Sequence, residues 1–329
     1  MKILVLGGAG YIGSHFSAMV SEQGHSLTVF DNLSTGHEWA VDRDHLVVGD
    51  ILDEAALGAA MRGCDAVCHF AAKSIVSESV QYPELYRQNN VDGTRSILRV
   101  MSEIGVRKLI FSSTAAVYGI PTTQESILYE HDQTNPINPY GHSKLEAEKL
   151  IAKWVREGRG NALVFRYFNA AGADYERGLG EAHEPETHLI PNILKTLICE
   201  HQGKFRLYGD DYDTPDGTCV RDYVHVNDIA RAHSLALDHY EDRQSEMEIC
   251  NLGTSTGVSN RRIIDFCEQV TGRALSYDIQ PRRLGDPPRL VASNTRAKSL
   301  LGWEPNNSDI KKIIESAYLW HLGYERGLK

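Results

Sequence analysis

Short apolar runs alternate along the chain with stretches whose apolar residues recur at helical spacing. The runs are Lys2–Leu6, Leu27–Phe30, His45–Val48, Ala66–Phe70, Lys108–Ser113 and Ala162–Phe168. The helical patterns lie at Ile12–Gln23, Asp53–Met61, Pro83–Ile104 and Tyr140–Arg156. The runs have the length of strands and the periodic stretches that of helices. Their alternation predicts an α/β fold, a doubly wound parallel sheet with helices on both faces. Right-handed crossovers then set the carboxyl ends of the strands along one edge, where ligands bind.

The pattern changes near residue 170. Gly172–Glu186 reads as a loop, Leu189–Glu200 as a helix, and Gly203–Gly217 as irregular chain rich in Gly, Asp and Pro. Asn227–Tyr240 reads as a helix and Glu248–Leu252 as a strand, both returning to the sheet. Asp278–Ala292, with Pro281, Pro287 and Pro288, is expected to be irregular, and Ile310–Tyr324 closes the chain as a helix. The expected division is a dinucleotide-binding domain over residues 1–170, rejoined by 225–255. Residues 171–329 mainly form a smaller α/β substrate lobe laid over the strand ends.

The first strand runs into Gly7-Gly8-Ala9-Gly10-Tyr11-Ile12-Gly13 and then a helix. Gly7, Gly10 and Gly13 suit a sharp turn, close approach of backbone to a pyrophosphate, and tight helix packing. The helix that follows aims free N–H groups and a positive dipole at the phosphates. Asp31 ends the next strand, 18 residues after Gly13. Its carboxylate can accept both hydroxyls of an adenosine ribose and would repel a 2′-phosphate, so the expected cofactor is NAD in a Rossmann-type site. Asp50, ending the third strand, either meets the adenine edge or caps the helix from Asp53.

Tyr140 and Lys144 are four residues apart on a helix that Pro139 opens, so they share one face. A free tyrosine titrates near ~10, and its phenolate at neutral pH costs ~4 kcal/mol. A nearby ammonium is expected to lower that cost. The pair can then take a proton from a sugar hydroxyl while hydride leaves the same carbon.

The chain is 42 % hydrophobic and 24 % charged, an ordinary globular balance that speaks against disorder. Its net charge of −10 disfavours nucleic acid as a partner. No run reaches the ~18 apolar residues of a membrane span, so no membrane partner is expected. Lys2 leads straight into an apolar run and Gly-Gly, unlike a signal peptide. The six cysteines form no C-x-x-C pair and suit buried, reduced thiols. The expected location is the cytoplasm.

Further blocks share the order and spacing of one group. They are Gly7–Ser14 with Asp31-Asn32-Leu33, His69–Ala72, Asn89–Thr94, Phe111–Gly119, Pro139–Lys144, Arg166–Gly172, Val220–Val226 and Pro281–Pro287. Nearly end to end, the chain resembles the extended short-chain dehydrogenase/reductase family and, within it, the UDP-glucose 4-epimerase group. The resemblance implies that Thr114 hydrogen-bonds the sugar O4 beside Tyr140. It implies that Tyr11, Ile12, Asp31, Asn32, Asp50, Ile51, Phe70, Ala71, Ala72, Asn89, Lys144 and Phe168 line NAD. It places Asn169 and Arg221 on the UDP diphosphate, with Arg283 and Asp286 near the phosphates and uridine ribose. Arginine forks suit phosphate oxygens on independent grounds.

Two positions depart from the group. A lysine that some members carry after F-A-x-x falls here on Ser74, with Lys73 one residue early. Where some members have Asn before the L-x-P turn, this chain has His188, which either donates to a diphosphate or is simply packed or solvated. Dehydratases of the family carry an acid pair after the Ser/Thr. Ala115-Ala116 stands there, and alanine cannot shuttle protons, so elimination is disfavoured; Ala116 argues likewise against decarboxylation. Reversible C4 epimerisation of a UDP-hexose through a 4-keto sugar is the implied reaction. Leu290, four residues after Asp286, implies UDP-glucose and UDP-galactose before N-acetylated sugars; pentose and uronate substrates stay open. A non-catalytic NAD-binding regulator is the other reading, against which the complete set of Thr114, Tyr140 and Lys144 weighs. By resemblance, Pro83–Ile104 and Tyr140–Arg156 pair in a homodimeric four-helix bundle; otherwise their outer faces are solvated.

Overall fold

The computed structural model describes residues 1–121, 127–199, 204–239, 246–283 and 286–325. Its centre is a sheet of seven parallel strands: β1 (Lys2–Leu6), β2 (Ser26–Asp31), β3 (Leu46–Val48), β4 (Ala66–His69), β5 (Lys108–Thr114), β6 (Asn161–Tyr167) and β7 (Met247–Leu252). The spatial order is β7-β6-β5-β4-β1-β2-β3. This is the expected doubly wound sheet. The chain proceeds outward from β1 to β3, then returns to the other side of β1 as β4, which opens a crevice at the carboxyl ends of β1 and β4. The Leu6 carbonyl at that crevice accepts both Phe70 N–H (2.8 Å) and Ala71 N–H (2.9 Å). The glycine turn and Phe70-Ala71-Ala72 are thereby brought side by side.

Alternation along β1 separates two cores. Ile3 and Val5 join Phe16, Phe165 and Trp303 on one face, whereas Leu4 and Leu6 join Phe30, Met61 and Trp154 on the other. Each such side chain, fully buried, contributes about 1.5–3 kcal/mol. The covering helices include α1 (Tyr11–Glu22), α2 (Glu54–Met61), α3 (Gly93–Ile104) and α4 (Pro139–Arg156). A separate core lies under the strand ends. Ile190, Ile193 and Leu194 of α5 (Leu189–Ile198) meet Ile263 and Ile264 of α7 (Asn260–Thr271) and Ile313 and Ile314 of α8 (Ile310–Glu325). The intervening α6 (Val226–His239) packs instead against α1 on the main sheet.

Three expectations need correction. Pro83–Ile104 is not one uniform α-helix: Pro83–Tyr86 is followed by a wide π turn over Arg87–Asp92 before α3 begins. The turn carries Asn90, whose amide accepts Lys73 N–H (2.9 Å) and donates to Lys73 O (3.0 Å) and Ser143 Oγ (2.9 Å). Such an inserted residue is typical of π turns near functional sites. Second, Asp278–Ala292 contains two strands. Tyr277–Gln280 pairs with Phe205–Tyr208, inside the stretch read as irregular, and Arg289–Leu290 pairs with Val220–Arg221. The prolines stand between these strands rather than in them, so they do not remove a ladder donor. Third, the helices Val76–Gln81, Asn260–Thr271 and Thr295–Leu301 had no counterpart in the pattern reading. The expected end points Glu200, Gly203 and Tyr240 lie outside the described residues. Among the described residues no helix is long and apolar enough to cross a membrane.

Candidate active site

One cleft of about 1610 Å³ runs along the carboxyl ends of the strands, between the main sheet and the segments after residue 170. At one end lies the glycine turn. Gly7 has φ +73°, which an L side chain rarely adopts, and a Cβ there would meet Ala71 N at 2.4 Å. A Cβ on Gly13 would lie 2.2 Å from Gly7 O. Helix α1 begins after Gly10 with no side-chain cap, leaving its first N–H groups for a ligand, and Gly7, Gly10, Tyr11, Ile12 and Gly13 all line the cleft. The turn therefore has the shape and the donors that a pyrophosphate requires.

Asp31 closes this end. Its carboxylate is buried and accepts Ala9 N–H (2.9 Å) and Leu33 N–H (2.8 Å). Burial raises its pKa, against which those two N–H groups pull. With two acceptor positions so fixed, the remaining lone pairs suit ribose hydroxyls. Asn32, Ile51, Phe70, Ala71, Ala72, Asn89 and Phe168 also line the cleft. Asp50 does not: its carboxylate accepts Asn32 Nδ2 (2.9 Å) and Leu52 N–H (2.9 Å), and the cap of the next helix is Asp53. Of the two expectations for Asp50 the helix cap does not hold, since Asp53 caps that helix, while its two carboxylate oxygens keep acceptor positions beyond Asn32 and Leu52. Lys73 and Ser74 both face the cleft.

Midway along the cleft stand Thr114, Tyr140 and Lys144. Thr114 ends β5. Asn138 caps α4 by accepting Gly141 N–H at 2.8 Å, which sets Tyr140 in the first turn. The Thr114 hydroxyl accepts Ala116 N–H (3.2 Å) and stands near enough to the Tyr140 phenol to favour its ionised form. The expected lowering of the phenol by Lys144 is not found. Burial raises the Tyr140 pKa, and the opposing pull comes from Thr114. Lys144 is itself buried, its ammonium 4.5 Å from the centre of the Phe111 ring. Burial lowers its pKa to about 7, against the attraction of Glu148 one turn on. An ammonium so nearly neutral offers the phenolate less than the full charge assumed from spacing.

The far end is cationic. Arg221, mostly buried, pairs with Asp286, and its Nη1 donates to Val220 O (2.8 Å). The Arg283 guanidinium lies 4.3 Å from the centre of the Tyr208 ring. Asn169, Arg283, Asp286 and Leu290 line the same region, with Leu290 in register beside Arg221. His188 reaches the cleft too, but its Nδ1 is 2.5 Å from Glu181 Oε1 and 3.4 Å from Glu186 Oε1. Burial would lower the His188 pKa, yet the two carboxylates raise it to about 10. His188 is thus ion-paired, with its side chain still half exposed.

Residues 3–253 match the NAD dependent epimerase/dehydratase family. The chain belongs to that family. A UDP-glucose 4-epimerase of Lactobacillus helveticus is 46 % identical, covering 99 % of both chains. The solved UDP-glucose 4-epimerase of Brucella ovis in complex with NAD is 44 % identical, covers 98 % of both chains and has a TM-score of 0.92. That of Stenotrophomonas maltophila, with bound NAD and formylated UDP-arabinopyranose, is 35 % identical over 99 % of both, with a TM-score of 0.94. Membership of this NAD-dependent family agrees with the cofactor expected from Gly7–Gly13 and Asp31.

Pattern reading of this NAD-dependent epimerase/dehydratase chain missed Tyr208, Glu181, His183 and Glu186, all on the cleft wall. Tyr208 lies in a strand too short to announce itself. The acid–histidine alternation through Glu181, His183, Glu186 and His188 was a signal in plain view.

Proposed function

We propose that the protein is an isomerase that interconverts UDP-glucose and UDP-galactose by epimerisation at C4 through a 4-keto sugar. The observation that carries this reading is that Thr114, Tyr140 and Lys144 face one cleft, with alanines at 115 and 116. A proton can be taken from one hydroxyl and returned, and no acid follows Thr114 to expel water.

In this reading residues 1–170, with 225–255, hold the cofactor, and 171–329 mainly hold the nucleotide sugar. Tyr140 receives the O4 proton and gives it back. Thr114 holds O4 against the phenol, so the proton has a short path between them. Bound NAD supplies the hydride acceptor and a positive ring that favours the phenolate. Arg221, with Arg283, Asn169 and His188, anchors the diphosphate and uridine while the hexose turns over. Loose sugar contacts serve that turn, whereas a dehydrogenase acting on one face would need a fixed pose. Leu290 favours the plain hexoses over N-acetylated ones.

We assign the chain to the cytoplasm, supported by five buried cysteine thiols that form no disulfide. We also assign it a homodimer in which Pro83–Ile104 and Tyr140–Arg156 pair as a four-helix bundle. Exposed Val80, Tyr82 and Leu85, just before the π turn, support it, and the mass in solution tests it. The reaction is tested with Tyr140→Phe. Loss of the proton carrier is expected to slow turnover of UDP-galactose by about 10²–10⁴-fold while leaving NAD bound; turnover at the wild-type rate would refute the assignment.

A further inference from the structure

The loop between Gly180 and α5 carries four metal-ligating side chains, of which the proposed epimerisation uses only His188, through the ring nitrogen facing away from the carboxylates. Glu181, His183, Glu186 and His188 each bring one donor atom into a group whose members all lie within 4.8 Å of one another. We propose that these four residues bind one divalent transition-metal ion of the zinc class on the cleft wall, a site distinct from the proton-transfer machinery at Tyr140.

The distances suit an ion. Glu181 Oε1 stands 3.1 Å from His183 Nδ1 and 2.5 Å from His188 Nδ1, and Glu186 Oε1 is 3.4 Å from His188 Nδ1. Metal bonds of about 2.0–2.2 Å in a tetrahedron put ligand atoms roughly 3.3–3.6 Å apart. The donor set of two imidazoles and two carboxylates fits zinc-class ions rather than calcium or magnesium, which favour oxygen alone.

A second observation points the same way. The side chains of Glu181 and Glu186 are each only 4 % exposed. Glu186 Oε2 is buried with no hydrogen-bond partner among the described residues. A bare carboxylate oxygen in that position costs free energy that a cation would remove. Among the described residues no lysine or arginine pairs with either carboxylate; their ion pairs are with His183 and His188. The Tyr11 ring packs edge-on to His183 with centroids 6.3 Å apart, so the ion would stand beside the start of α1 and stiffen that wall of the cleft. Without an ion, the same cluster would act only as a hydrogen-bonded clamp.

The full-length protein, stripped with a chelator, is titrated with zinc chloride by calorimetry, alongside Glu181→Gln and His183→Asn. One zinc per chain is expected, bound at least ten times more tightly than by either variant. X-ray absorption of the zinc-loaded wild type is expected to show two imidazoles among nitrogen and oxygen ligands. Equal affinity in wild type and variants, or a first shell without two imidazoles, overturns the proposal. If a variant fails to fold, the absorption spectrum of the wild type decides alone.

Discussion

Glu148 and Arg166 form a two-pronged pair in the interior, Nε to Oε1 at 3.0 Å and Nη2 to Oε2 at 2.6 Å. Both side chains are nearly inaccessible, at 4 % and 5 % exposure. Glu148 also accepts the Ser113 hydroxyl at 2.5 Å, and Arg166 donates to Tyr118 at 3.1 Å. The pair thus ties α4, which carries Tyr140 and Lys144, to β5 and β6 immediately behind Thr114. Removing one partner leaves the other charge buried and unpaired. Arg166→Met or Glu148→Gln should lower stability by about 3–5 kcal/mol, and the double replacement by clearly less than the sum. Urea unfolding of the three variants measures this; additive losses would mean that the two residues act independently.

Lys144 predicts a pH dependence of stability. Its pKa is about 7 in the folded chain against an ordinary 10.5. Below pH 7 the ammonium is charged in both states, and its burial cost is fully present. Between pH 7 and 10.5 the unfolded chain binds more protons, so this residue's contribution to stability improves as pH rises. Lys144→Met should therefore stabilise the NAD-free protein by about 1–3 kcal/mol below pH 7, a gain that shrinks toward pH 10.5. Thermal melts of both proteins across that range check it. A gain independent of pH would point to packing rather than charge.

Arg221 predicts a division between binding and chemistry. Its guanidinium lines the cleft, its backbone is in register with Leu290, and it is not among the groups that act on the Tyr140 phenol. Charge-assisted hydrogen bonds of this kind are worth about 1.5–3 kcal/mol. Arg221→Gln should raise KM for UDP-galactose by about 10–100-fold with a smaller change in kcat. Steady-state kinetics decides; a fall in kcat with KM unchanged would place Arg221 at the reacting carbon instead.

The main sheet was legible because each of its strands is a local apolar run, and Asp31 was legible because it ends one. Asp50 was only half legible, because position at a strand end does not reveal that Asn32 will donate to its carboxylate or that the helix cap will fall to Asp53. Phe205–Tyr208 and Tyr277–Gln280 were hidden for another reason. They are four residues each, and they find each other across some seventy positions of chain, so neither shows periodicity of its own. The wide turn at Arg87–Asp92 keeps a helical pattern on both sides, so an apolar count cannot detect it. The Tyr140–Lys144 spacing indicated a shared helix face. It could not indicate the burial that draws the lysine toward neutrality and raises the phenol.

The central claim is that hydride leaves C4 and returns within one turnover, with NAD kept in the cleft formed at Gly7–Gly13. Proton NMR of the purified protein with UDP-galactose, and no NAD added, tests it most directly. The account predicts that UDP-glucose signals grow to equilibrium with no net NADH. Unchanged UDP-galactose in NAD-loaded protein, or a sugar oxidised in step with accumulating NADH, would contradict it.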